Sequence, residues 1–178
     1  YDAQKDELNT TITEKSSEIA NLDVKIDEAV KKAAEEEAKR KAAEAAKKAA
    51  EEAVELFIEK GHRNIGIIGG PEGIFTAEER LEGYYTALKK AGIPIKNSLV
   101  YRGDYTIQGG VRGLEQLVRE NPDMTAVFVT NYEMTMGAMI GVNELGIQIP
   151  EQLSMIGFDN LQFARACRPK LTIVSQPT

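Results

Sequence analysis

The sequence predicts an α/β fold: a single open parallel-sheet lobe preceded by a long N-terminal helix or coiled coil. Three observations carry this reading. Residues 1–60 contain no Gly and no Pro, whereas residues 61–178 hold all 15 Gly and all 6 Pro. The second part alternates short apolar runs with helical patterns, which means right-handed βαβ units and a parallel sheet. Its apolar runs are continuous, as strands covered on both faces are. The expected division is 1–53, the long helix, and 54–178, the sheet lobe.

The helix follows from propensity and charge. Residues 29–53 comprise 11 Ala, 7 Lys/Arg, 6 Glu and one Val, nearly all strong helix formers. Glu35 with Lys39, Glu37 with Lys41 and Glu44 with Lys48 place opposite charges at helical neighbours. Sixty helical residues would span roughly 90 Å. Residues 5–29 carry a heptad seam: Ile12, Ile19 and Ile26 share one position, Leu8, Leu22 and Ala29 another, and Lys15 interrupts the second series. A coiled-coil strand of about three heptads fits this pattern, and an amphipathic helix lying on the lobe is the alternative. Residues 29–53 read as a helical spacer.

The lobe elements follow in order. Val54, Leu56, Phe57 and Ile58 end a helix at Lys60-Gly61, a glycine stop. NIGIIGG (64–70) is a strand. Thr76 to Ala91 is a helix with Leu81, Tyr84, Tyr85 and Leu88 at helical spacing. SLVYRG (98–103) is a strand, and 107–121 a helix ended by Asn121-Pro122. TAVFVT (125–130) is a strand, Tyr132 to Leu145 a helix, and LSMIGF (153–158) and LTIVS (171–175) the last two strands.

Composition narrows the function. The net charge is −6, of which residues 1–60 supply −5 (11 Lys/Arg against 16 Asp/Glu). A chain without basic excess does not neutralise phosphates, so direct nucleic-acid binding is not expected. No apolar run is long enough to span a membrane, and the charged first thirty residues do not resemble a signal peptide. The expected location is cytoplasmic. One Cys (Cys167) and one His (His62) leave little for a metal or a catalytic triad. No cofactor, no metal ligand and no catalytic residue are expected, and the chain reads as a non-enzyme.

Ligands of open parallel sheets bind at the carboxyl ends of the strands. Those ends read GGPEGIFTAEER, RGDYTIQGG, TNYEM, GFDN and SQP. They offer Thr76, Arg80, Asp104, Tyr105, Asn131, Asp159 and Gln176. Carboxylate and guanidinium with amides and an aromatic face suit a polyhydroxylated ligand. GGPEG is either a plain strand-to-helix turn or a phosphate cradle, the turn being the simpler reading. Met134, Met136 and Met139 lie at helical spacing and read as core or interface.

Several motifs carry a resemblance. AVELFIEKGHRNIGIIGGP, RLEGYYTALKKAGIP, TNYEMTMGAMIGVNELGIQIPEQLSMIGFDN and PKLTIVSQP resemble the LacI/GalR family of bacterial transcription regulators, over residues 53–178. The resemblance implies a periplasmic-binding-protein-like fold and the C-terminal lobe of an effector-binding core. It implies that Arg80 and Asp159 match effector-contacting residues. It places Asn131, Tyr105, Thr76 and Gln176 at positions that often line the pocket, with a sugar-like effector as the ligand.

The family's helix-turn-helix headpiece and its first lobe have no counterpart here. The chain therefore reads as a fragment or engineered fusion of that lobe with a helical rod. Effector sensing is one functional expectation. The other is a structural assembly in which residues 5–29 pair with another copy or another helix and the lobe is inert.

Overall fold

The computed structural model describes residues 2–158 and 172–174. Helix α1 runs Asp2–Glu59. The chain divides into two compact units, Tyr1–Lys41 and Ala42–Thr178.

In the first unit α1 satisfies its polar residues internally. The hydroxyls of Thr10, Thr11 and Thr13 donate to the carbonyls four residues back at 3.0, 3.0 and 2.9 Å. This back-bonding lets a Thr-rich stretch remain helical. Glu37 and Lys41 form the expected pair at 2.9 Å, and Lys15 pairs with Glu18 at 2.7 Å. Leu8, Ile12, Ile19, Leu22 and Ile26 are all between 54% and 60% exposed.

The second unit begins at Ala42. The reason is that Ala43, Ala46, Ala50 and Ala53 are buried, together with Val54 and Phe57. Helix α1 ends as the sequence predicts. Gly61 takes φ 93°, its N–H donates to Ile58 O at 3.0 Å, and His62 N–H donates to Phe57 O at 3.0 Å.

Five strands form one parallel sheet: β1 (Ile65–Gly69), β2 (Val100–Arg102), β3 (Ala126–Val129), β4 (Ser154–Phe158) and β5 (Thr172–Val174). Their order is β2-β1-β3-β4-β5. Strand β2 is shorter than expected because Asn97–Leu99 forms a single 3-10 turn. Helices α2 (Phe75–Lys90), α3 (Ile107–Glu120) and α4 (Tyr132–Glu144) make the crossovers. In register, Ile65 pairs with Ala126, and Ala126 with Ser154.

Side chains alternate across the sheet. Ile65, Ile67, Ala126, Phe128, Ile156 and Phe158 pack with the end of α1 and with α2. Ile68, Val127, Val129 and Met155 pack with α3 and α4, through Leu114, Leu117, Met134 and Ala138. Both faces are covered, which explains the unbroken apolar runs. Tyr84 is fully buried, and its hydroxyl donates to Ile65 O at 2.8 Å; burial pushes that hydroxyl's pKa up. Helices α1 and α2 meet at Gly83, where a Cβ would lie 2.3 Å from Lys47 O and 2.9 Å from the Ala50 methyl. The alanine face of α1 and this glycine are therefore one packing device.

The strand order reverses between β1 and β3. An open sheet of this order leaves a crevice at the carboxyl ends of those two strands.

Candidate functional site

Arg80 reaches the carboxyl ends of the sheet. It lies on the buried stripe of α2, between Ala77 and Leu81, and is only 8% exposed. Its Nη1 donates to Thr130 O, at the end of β3, at 2.9 Å. Its Cζ lies 4.0 Å from the centroid of the Phe158 ring, at the end of β4. Thr130 is itself anchored, its hydroxyl donating to Ile68 O at 3.1 Å. One guanidinium thus joins the ends of β3 and β4 to α2, with β1 bound through Thr130. A buried cation held by a carbonyl and an aromatic face is fixed in direction.

The other expected residues are placed as follows. Thr76 is half-buried in the first turn of α2. Asn131 caps α4, its side chain accepting from Met134 N–H at 2.9 Å. That bond occupies its carbonyl oxygen and leaves its amide N–H₂ as the donating end. Tyr105 sits between β2 and α3 with φ 62°. Its ring lies against Gly70, where a Cβ would fall 2.4 Å from ring atoms, so any larger residue there requires the ring to shift. The Tyr105 hydroxyl is buried and has no hydrogen-bond partner among the described residues. Asp159 and Gln176 lie outside the described residues.

Asp104 serves the backbone. It accepts from Thr106 N–H at 3.1 Å, from the Thr106 hydroxyl at 2.6 Å and from Arg112 at 2.9 Å. The Thr106 hydroxyl, then its N–H, hold the Asp104 carboxyl below the usual range, and Arg112 adds to this. Thr106 in turn caps α3, accepting from Gly109 N–H at 2.9 Å.

Two features escaped sequence reasoning. Glu78 pairs with Arg102 at the end of β2, with a second contact at 3.3 Å, and accepts from Gly73 N–H at 3.0 Å. The Arg102 guanidinium and then the Gly73 N–H hold the Glu78 carboxyl below its ordinary value. The GGPEG segment is accordingly a turn closed by a carboxylate, in line with the simpler reading. Phe75 and Ile74 are the second feature: large apolar groups 53% and 46% exposed where β1 passes into α2. Phe75 is off the buried stripe of that helix, which is the one sequence signal that marks it.

His62 donates to or accepts from the Thr125 hydroxyl at 2.8 Å and stacks edge-on against Phe57 at 5.6 Å. Burial, and then Lys60, lower its pKa. Its place is structural. Met134 and Met139 are buried core residues. No group of three metal-ligating side chains occurs among the described residues.

The domain family described as periplasmic binding protein-like matches residues 54–178. The chain belongs to that family. Within it, the chain is 42% identical over 120 residues to the HTH-type transcriptional repressor PurR of Photorhabdus laumondii, covering 67% of this chain and 35% of PurR. It is 40% identical over 124 residues to the HTH-type transcriptional repressor CytR of Escherichia coli, covering 70% of this chain and 36% of CytR. A solved sugar-binding transcriptional regulator of the LacI family from Escherichia coli, complexed with phosphate, superposes with TM-score 0.69 at 34% identity, covering 72% of this chain and 46% of that one. The chain thus spans about a third of the length of these curated relatives. PurR and CytR are transcription repressors, and the solved regulator is of the LacI family, the family whose motifs the sequence resembles. No helix among the described residues is long and apolar enough to cross a membrane.

Proposed function

We propose that the lobe of residues 54–178 is one wall of an effector site in a LacI-type transcription regulator, and that the effector is a sugar-like small molecule. The observation that carries this is the placement of Arg80: a nearly buried cation fixed by Thr130 O and the Phe158 ring at the sheet's switch point. The loops at the same ends of the strands carry hydroxyl, amide and aromatic groups: Thr76, the Asn131 amide and Tyr105. Asp159 and Gln176 complete the set by their positions in GFDN and SQP. The E. coli relative that is itself described as sugar-binding supports the ligand class. Functional pockets bury about 70–90% of a ligand, so one wall alone binds weakly. The site uses no catalytic residue and no cofactor.

The chain acts in the cytoplasm, without direct nucleic-acid contact, consistent with its net charge of −6. A discrete, competitor-resistant complex with DNA in a gel shift at physiological salt would overturn that part.

A second reading concerns residues 5–29. Their exposed seam supports self-association, in which the helix drives assembly. Titration calorimetry with a panel of sugars tests the first reading; loss of mass in Ile19→Asp by sedimentation tests the second.

A further inference from the structure

The seam of α1 also has charges that choose an orientation. Let Ile12, Ile19 and Ile26 be positions a, and Leu8, Lys15, Leu22 and Ala29 positions d. The flanks are then Ser16 and Asp23 at e, and Glu18 and Lys25 at g. All these residues are exposed.

We infer that two copies of this chain pair through residues 5–36 as an antiparallel coiled coil, with Ile19 of one copy opposite Leu22 of the other. The inference rests on the self-association reading above and adds the partner, the direction and the register.

The parallel alternative is opposed by charge. In register, Lys15 would face its own copy in the seam, and Glu18 would flank Asp23. Both contacts are between like charges, and such flanks decide partner choice and orientation. The favourable parallel flanks, Lys32 with Glu37 and Lys39 with Glu44, lie where Glu36 and Arg40 occupy the seam. There each of those would again face its own copy.

The antiparallel register removes these conflicts. In this geometry a faces d, and g flanks g. Ile19 faces Leu22, Ile12 faces Ala29 and Leu8 faces Ala33, so large residues meet large or small ones without a like charge between. Lys15 faces Ile26 and has the second copy's Asp23 one turn away. Glu18 flanks Lys25 on both sides of the two-fold axis, and Lys5 faces Glu36 at both ends. The one like-charged flank, Glu37 with Asp2, falls at the terminus. Sliding the register by one heptad in either direction sets Glu18 against Glu18 or Lys25 against Lys25, so the charges select one register.

The test uses the full chain with Cys167→Ala as background. Sedimentation first reads mass: the parent dimerises and Ile19→Asp does not. A monomeric parent at high micromolar concentration overturns the self-association reading and this inference with it. Given a dimer, single cysteines read direction. In the antiparallel pair the two copies of position 12 are separated by 17 residues, about 25 Å along the axis, beyond the roughly 7 Å reach of a disulfide between Cα atoms. An equimolar mixture of Ile12→Cys and Ala29→Cys chains links 12 to 29, and neither chain links to itself. Self-linking of Ile12→Cys, or a dimer in which no pair links, overturns the antiparallel assignment and leaves association standing. Charge gives an independent readout of opposite sign for the two directions. Glu18→Lys weakens the antiparallel dimer, by roughly three- to thirty-fold for two exposed pairs, and Lys25→Glu added to it restores affinity. Tighter association of Glu18→Lys would mean parallel helices.

Discussion

Arg80 on α2 donates from Nη1 to the carbonyl oxygen of Thr130, at the end of β3, across 2.9 Å. The same residue that the sequence marks for ligand contact is thus a structural tie at the point where strand order reverses. A test of ligand contact at Arg80 must therefore separate binding from stability.

Arg80→Ala is therefore expected to destabilise the lobe before any ligand is added. It removes a hydrogen bond from a charged donor, worth about 1.5–3 kcal/mol, and a ring contact worth about 0.5–2 kcal/mol. An unfolding free energy from urea titration lowered by roughly 2–5 kcal/mol agrees with this. An unchanged midpoint would mean that the contacts with Thr130 and Phe158 contribute nothing net.

Tyr105→Phe separates the two roles. The Tyr105 hydroxyl is buried without a partner among the described residues, so its removal is expected to leave stability unchanged or raise it by up to about 1 kcal/mol. A thermal melt of the variant checks this. A clear loss of stability would show that the hydroxyl is satisfied in solution.

Gly83→Ala tests where the second unit begins. The added methyl meets Lys47 O at 2.3 Å and Ala50 at 2.9 Å, so α1 and α2 must part. The expected cost is about 1–3 kcal/mol, measured by denaturant unfolding. A neutral substitution would mean that residues 42–53 are not packed against α2.

Glu78 gives a pH dependence with a definite sign. Its folded pKa lies below the ordinary 4.5, chiefly through Arg102. Its contribution is present above that ordinary value and is lost as pH falls through the folded pKa. The pair is largely solvated, so the contribution is at most about 1 kcal/mol. Glu78→Gln should be slightly less stable than the parent at pH 7, and the gap should close as acid protonates Glu78 in the parent. A gap that persists in acid would assign the effect to packing.

Much of this was legible in the sequence. The Lys60-Gly61 stop, the five strands and the crossover helices follow from glycine placement and apolar periodicity. Arg80, Thr76, Tyr105 and Asn131 lie at the strand ends where an open sheet binds ligands. What was not legible depended on distance in the chain. The close packing of Ala50 depends on Gly83, 33 residues later in α2, while local composition reads only as a helical spacer. The Glu78–Arg102 pair joins the first turn of α2 to the end of β2, an approach that the one-dimensional pattern does not contain. Asn131 looks like a ligand amide in sequence, and its oxygen is in fact engaged as a helix cap.

The central claim is that the carboxyl ends of the sheet hold a sugar-like effector. A ¹⁵N chemical-shift titration of the whole chain with mono- and disaccharides tests it most directly, because it resolves weak binding by residue. The account predicts binding weaker than micromolar, with shifts concentrated at Thr76, Arg80, Tyr105, Asn131, Asp159 and Gln176 and abolished by Asp159→Asn. Shifts elsewhere on the lobe, or none with any sugar at saturating concentration, would contradict it.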